Sequence, residues 1–141
     1  MRYKNPASTS TIIIEDNDEV LLIKRKKKPY KDKWALPGGF IKYRKETLEE
    51  CAVREGKEET GYLIRGLNLF EVNSHPKRDP RGHVIDHVYI ITKYSGEGKA
   101  GDDAKSMKRF NLYEHLPKLA FDHNKVVEDY KKWKKYKQNA Q

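Results

Sequence analysis

The chain has 141 residues, enough for one hydrophobic core and one domain over 1–141 but not for two. Apolar and charged residues each make up 36%, with the apolar ones in periodic clusters; this excludes a disordered chain, and no run approaches the roughly 20 apolar residues that cross a bilayer. The net charge of +9 would suit an anionic ligand, the single Cys51 excludes an internal disulfide framework, and no apolar leader follows Met1, so a cytoplasmic protein with no membrane partner is expected.

In chain order, Thr9 to Glu15 and Val20 to Lys24 are β-branched or aliphatic runs separated by Asp16-Asn17-Asp18, which predicts a hairpin. A basic loop through Pro29 leads to Trp34-Ala-Leu-Pro37 and the pair Gly38-Gly39. Phe40 to Lys42 reads as a short strand. A helix is expected from Thr47, where Thr47 and Glu50 make a capping box, to Gly61, a residue suited to a left-handed stop. Tyr62 to Asn73 reads as a strand with a break at Gly66, His75 to Gly82 as a polar loop, and His83 to Tyr94 as the most strand-like stretch. Gly96 to Asp103 is a glycine-rich loop, and a short segment from Met107 to Leu112 follows. A last helix is expected from Asp122 to about Lys137. Its lysines alternate with Val126, Tyr130 and Trp133 at helical spacing, a stripe for docking on a core rather than for base stacking. Nucleic acid is therefore not the expected partner, and interleaved strands and helices point to an α/β layered domain.

The first helix carries the chemistry. From Leu48, the i, i+4, i+7, i+11 series runs Leu48, Ala52, Glu55, Glu59, with Cys51 and Glu58 at its border. The stripe starts apolar and ends in carboxylates. An ordinary charged helix face explains Glu49, Glu50 and Lys57 but not acids that continue an apolar stripe. Buried carboxylates need compensation, and a hard divalent cation supplies it. Gly38-Gly39 is either a tight turn or a backbone brought close to a metal or phosphate. Cys51 reads as a small hydrophobe. His83 and His87, with Asp86 beside them, are too few for a zinc site.

Glu46, seven residues, Arg54-Glu55, then Glu58-Glu59, Thr60 and Gly61 resemble the Nudix box, G-x5-E-x7-R-E-U-x-E-E-x-G-U, where U is bulky and aliphatic. The flanking Trp34-Ala-Leu-Pro-Gly-Gly-Phe40 and the hairpin before it are also family-like. Three positions depart from the pattern: six residues rather than five separate Gly39 from Glu46, and the U positions are Gly56, which costs a helix roughly 1 kcal/mol relative to alanine, and Tyr62. The extra residue is expected to shift its loop and leave metal binding intact.

The resemblance implies a Nudix-type α/β/α sandwich with a mixed β-sheet between helices. It implies Mg²⁺, with Mn²⁺ as a substitute, held by Glu55, Glu58, Glu59 and the Gly38 carbonyl. Arg54 and Glu46 would support Glu55 from behind, and metal-activated water would attack a diphosphate. Asp103, with Asp102 second, is the candidate general base, although both also suit a simple turn. Arg25 reads as a substrate contact or a solvated cation. Arg78-Asp-Pro-Arg81-Gly-His83, Ala100-Gly-Asp-Asp-Ala104 and Leu119-Ala-Phe-Asp-His123 are similar to the branch that hydrolyses ADP-ribose to AMP and ribose 5-phosphate, which adds Arg78 and Arg81 as substrate contacts. They are also similar to the sensing domain of Nudix-related regulators, but the chain ends after one helix, so no DNA reader is expected. Hydrolysis of modified nucleoside triphosphates or dinucleoside polyphosphates is the alternative enzyme reading; a nucleotide sensor or nucleic-acid-binding module is the alternative of another class. A homodimer is a candidate state, as in many family members.

Overall fold

The computed structural model describes residues 3–99 and 104–140. Its elements are β1 (Ala7–Ile13), β2 (Glu15–Asp16), β3 (Glu19–Arg25), β4 (Trp34–Ala35), β5 (Gly38–Phe40), α1 (Leu48–Thr60), β6 (Leu63–Asn73), β7 (Val84–Ser95), β8 (Ala104–Asn111) and α2 (His123–Asn139). One sheet is mixed, in the order β5-β1-β7-β6, with β1 and β7 parallel and the outer pairs antiparallel. A second, antiparallel sheet places β3 between β4 and β8, with β2 also paired to β3. Among the described residues, no helix is long and apolar enough to cross a membrane.

Alternation along the central strands builds two cores. Ile12, Ile14, Leu21, Tyr89 and Ile91 face α1 and join Ala52 and Ile64. Their sequence neighbours Ile13, Val20, Leu22 and Val88 face the other way and join Val126, Val127 and Tyr130 of α2. A period of two along each strand thus gives apolar residues to both layers, and the result is the α/β/α sandwich. Beneath α1, Gly56 lies so close to Ile64 and Ile12 that a Cβ there would strike the Ile64 side chain. The glycine that weakens the helix is what lets it settle on the sheet.

The predicted hairpin needs a correction. Asn17 and Asp18 do form the tight turn, both at positive φ, as a two-residue hairpin loop requires. Its arms are only β2 and the start of β3, extended by Leu21 N–H donating to the Ile14 carbonyl at 2.9 Å. β1 crosses into the mixed sheet, where it pairs with β5 and β7. β1 and β7 both carry apolar residues on two faces, and such strands belong in the interior of a sheet. The break expected at Gly66 is a register shift in the β6–β7 ladder, and α2 is pinned to the hairpin by Lys134, which bridges Glu15 and Asp18.

Candidate active site

Helix α1 starts and stops as its sequence dictates. The Thr47 hydroxyl accepts the Glu50 N–H at 3.1 Å while the Glu50 carboxylate accepts the Thr47 N–H at 2.8 Å, and Gly61 closes the helix at φ 77°. Within it Glu55 and Glu59 lie one turn apart on the buried face, 9% and 6% exposed. The loop of Gly38 and Gly39 presses on both. Gly38 N–H donates to Glu59 Oε2 at 3.0 Å, and a Cβ on Gly39 would run into the Glu55 carboxylate. Glycine is needed here for close approach.

Arg54 ties this end together. Its guanidinium donates to both oxygens of Glu46 at 2.9 and 2.7 Å, to Glu55 Oε1 at 2.8 Å, to Glu58 Oε2 at 3.1 Å and to the Phe40 carbonyl at 3.1 Å. Its hydrogen bond holds the Glu46 carboxyl at a pKa of about 2, and Glu46 in turn raises the pKa of Arg54. Glu58 sits at the outer edge, its side chain 44% exposed. Burial pushes the Cys51 thiol up to about 11, so it is an inert filler. The six-residue connection makes a turn in which Lys45 N–H donates to the Lys42 carbonyl and Arg44 takes φ 62°. Glu46 still reaches back to the Lys42 N–H at 2.9 Å, so the extra residue is absorbed away from α1.

The carboxylates open on a cavity of about 450 Å³. Lys26, Lys27, Lys28 and Arg25 line its basic side; Arg25 donates to the Pro29 carbonyl and lies 5.0 Å from the Phe121 ring. Arg81, paired with Asp79 at 2.7 Å, lies over both Phe40 and Phe121. Arg78 lines the cavity too but is nearly buried, its guanidinium taken up by both oxygens of Asp122 at 2.8 and 2.9 Å. The three arginines read from the sequence as candidate substrate contacts therefore share one cavity, with Arg78 in its floor and Arg25 and Arg81 on its walls.

Sequence reasoning placed Arg78 at the site but gave Asp86, Asp122 and His123 no individual role there. Asp86, 1% exposed, accepts the hydroxyls of Thr9 and Thr11 at 2.8 and 2.7 Å, and His123 accepts the Leu36 N–H on Nδ1 at 3.0 Å. Burial lowers the pKa of this ring. Burial alone would raise Asp122, but the pair with Arg78 outweighs it and the carboxyl stays below its ordinary value. An available signal was a lone carboxylate in the most apolar strand. His83 and His87 bond the carbonyls of Ser74 and Thr9 separately. Asp102 and Asp103 lie outside the described residues.

The donor set at α1 suits a hard cation: three carboxylates converge there, two of them buried, beside the backbone of Gly38 and Gly39. A sequence model of the NUDIX domain matches residues 4–130. The chain belongs to the Nudix family of hydrolases. It is 53% identical over 132 residues, covering 94% of this chain and 77% of the relative, to an ADP-ribose pyrophosphatase of Methanocaldococcus jannaschii. It is 30% identical to an ADPR-responsive transcriptional repressor, NtrR, of Acinetobacter baylyi, over 89% of this chain and 53% of that protein. Among solved structures, the NUDIX domain of Shewanella oneidensis NrtR, complexed with ADP ribose, superposes with a TM-score of 0.81 at 25% identity, over 92% of this chain and 89% of that one. The Nudix fold of the chain is thus shared by catalytic and regulatory relatives.

Proposed function

We propose that this Nudix hydrolase cleaves the diphosphate bond of ADP-ribose to AMP and ribose 5-phosphate, with Mg²⁺, or Mn²⁺ in its place. The observation that carries the reading is the convergence of buried Glu55 and Glu59 on the Gly38-Gly39 backbone at the edge of a nucleotide-sized cavity. The 53% identity to an ADP-ribose pyrophosphatase supports the substrate.

In this reading Glu55, Glu58, Glu59 and the Gly38 carbonyl hold the cation. Bound there, the metal supplies charge neutralisation at the diphosphate and lowers the pKa of water. The rest is the work of the chain. Arg54 orients Glu55 and Glu58 from behind and, by pairing with Glu46, fixes the loop on which Gly38 and Gly39 stand. The cations of Arg25, Lys26, Lys27 and Lys28 attract the dianionic substrate to the mouth. Asp103, with Asp102 second, is the base we assign from the sequence.

The test is AMP release from ADP-ribose by the purified protein with Mg²⁺, beside Glu59→Gln and a panel of modified nucleoside triphosphates and dinucleoside polyphosphates. Turnover that stops with EDTA, returns with Mn²⁺ and falls by about a hundredfold or more in Glu59→Gln is expected. Cleavage of another nucleotide but not ADP-ribose would discard the substrate. Silence across the panel, with ADP-ribose still bound, would make the chain a sensor.

A further inference from the structure

Helix α2 has two faces of different chemistry. Val126, Tyr130 and Trp133 pack on the sheet, as their spacing predicts, so their rings are closed to a partner. The outward side is basic. From Tyr130 to Gln141 there are five lysines and no acidic side chain. Lys134 is committed to Glu15 and Asp18 at 3.0 and 2.6 Å, and Lys137 covers the Trp133 ring at 4.8 Å. Lys132 and Lys135 are exposed and form no ion pair among the described residues. They stand one turn apart, about 5–6 Å between Cβ atoms.

These two lysines belong to a groove. With Lys131, Glu128 and Gln138 they line an open channel whose other wall is Tyr113, from the turn after β8. Tyr113 is 54% exposed, and Lys131 Nζ lies 5.5 Å from its ring centroid. Glu128 is the one acid of the lining, and it is bonded to Lys131 at 3.2 Å, so the groove keeps a net positive charge. At about 100° per residue, Tyr136, 74% exposed, projects on the side of Lys132 away from Tyr113. An exposed aromatic ring therefore borders the lysine row on each side.

Charge and rings together name the occupant. A row of cations suits a chain of anions. Entry into an acidic membrane surface would need an apolar helix face, and that face of α2 is packed on the sheet. A duplex hides the faces of its bases. Lysines bordered by exposed aromatics match the way an unpaired strand is held, with phosphates on cations and bases stacked on rings.

We infer that the outer face of α2, together with Tyr113, is a binding surface for single-stranded nucleic acid of any sequence. Lys131, Lys132 and Lys135 take phosphates; Tyr113 and Tyr136 take bases. The expectation of no nucleic-acid partner came from the buried stripe, and the outer face reverses it. The surface is independent of the catalytic reading. His123, at the start of α2, lines the cavity, and Lys132 and Lys135 follow about 14 and 18 Å further along the helix. A strand bound there leaves the cavity open.

The test is fluorescence anisotropy of a labelled single-stranded oligonucleotide of mixed sequence with the full chain. Affinity should fall with salt at a log–log slope of about −2, for three phosphate contacts on a single strand. Lys132→Glu with Lys135→Glu should weaken binding tenfold or more and flatten the slope toward about −0.7, with the urea midpoint unchanged. Tyr113→Ser should weaken binding about fivefold or more, Tyr113→Phe should not, and an abasic oligonucleotide should be indifferent to both. Saturating ADP-ribose should displace nothing. No salt-sensitive binding by the unaltered protein, or binding that ignores the lysine pair, would overturn the surface. Displacement by ADP-ribose would move the contact to the basic mouth of the cavity and overturn it as well. Equal binding of a duplex, tighter binding to vesicles of anionic phospholipid, or competition by polyglutamate as strong as by the oligonucleotide would each overturn the occupant, as would a strand that senses the lysines but not Tyr113→Ser.

Discussion

Two arginines organise the two ends of the cavity, and their surroundings differ. Arg54 gathers Glu46, Glu55 and Glu58 at the α1 end; its side chain is 20% exposed, and its side-chain partners lie within eight residues of it. Arg78 gathers Asp86 and Asp122 at the floor; its side chain is 5% exposed, and Asp122 is 44 residues away. Similar groups serve opposite purposes. At the α1 end Glu58 remains 44% exposed and Arg54 20%. At the floor the side chains of Arg78 and Asp86 are 5% and 1% exposed, and the arginine is the only Lys or Arg paired with the two aspartates among the described residues. Loss of that charge leaves buried Asp86 and half-buried Asp122 without their cation.

The contrast makes its largest prediction at the floor. Arg78→Met should cost about 3–5 kcal/mol of stability, the usual range for breaking a buried ion pair by removing one partner, read as a fall in the urea midpoint. An unchanged midpoint would mean that water reaches the floor and that the two ends are alike. Arg54→Gln should do the reverse. Activity should drop 10–100-fold, as for other groups that orient metal ligands, while stability changes by about 1 kcal/mol or less, as for partly exposed pairs. A stability loss as large as that of Arg78→Met would erase the distinction.

Smaller effects sharpen it. Gly39→Ala places a methyl against the Glu55 carboxylate and should raise severalfold the Mg²⁺ needed for half-maximal activity, with near-normal unfolding. The smallest effect is in pH. The lowered pKa of His123 means that its contribution is present above the ordinary value of 6.5 and is lost as pH falls below it, because the unfolded ring takes up the proton. Glu46 is depressed from 4.5 to about 2, so its contribution is present above 4.5 and fades between 4.5 and 2. Urea titrations across pH should therefore show the floor weakening first, and His123→Asn should remove that first step alone.

What was legible in the sequence was what depends on near neighbours. The capping box of Thr47 and Glu50, the stop at Gly61 and the one-turn spacing of Glu55 and Glu59 all follow from hydrogen bonds that span four residues, so α1 and its acidic face could be read directly. The turn at Asn17-Asp18 was equally local. The partner of β1 was not, because a strand's apolar run names its burial but not its neighbour. Asp86 shows the cost of that gap. Along the chain it stood beside His83 and His87; in the fold, the parallel register that sets Thr9 opposite Asp86 and Thr11 two residues on turns it toward two threonine hydroxyls instead. The sequence by itself determined the acidic helix α1, since helical periodicity is local. Only the tertiary structure decided the floor, where β1, β7, the loop bearing Arg78 and the start of α2 must meet before Asp86 reaches Thr9 and Thr11 and Arg78 reaches Asp122.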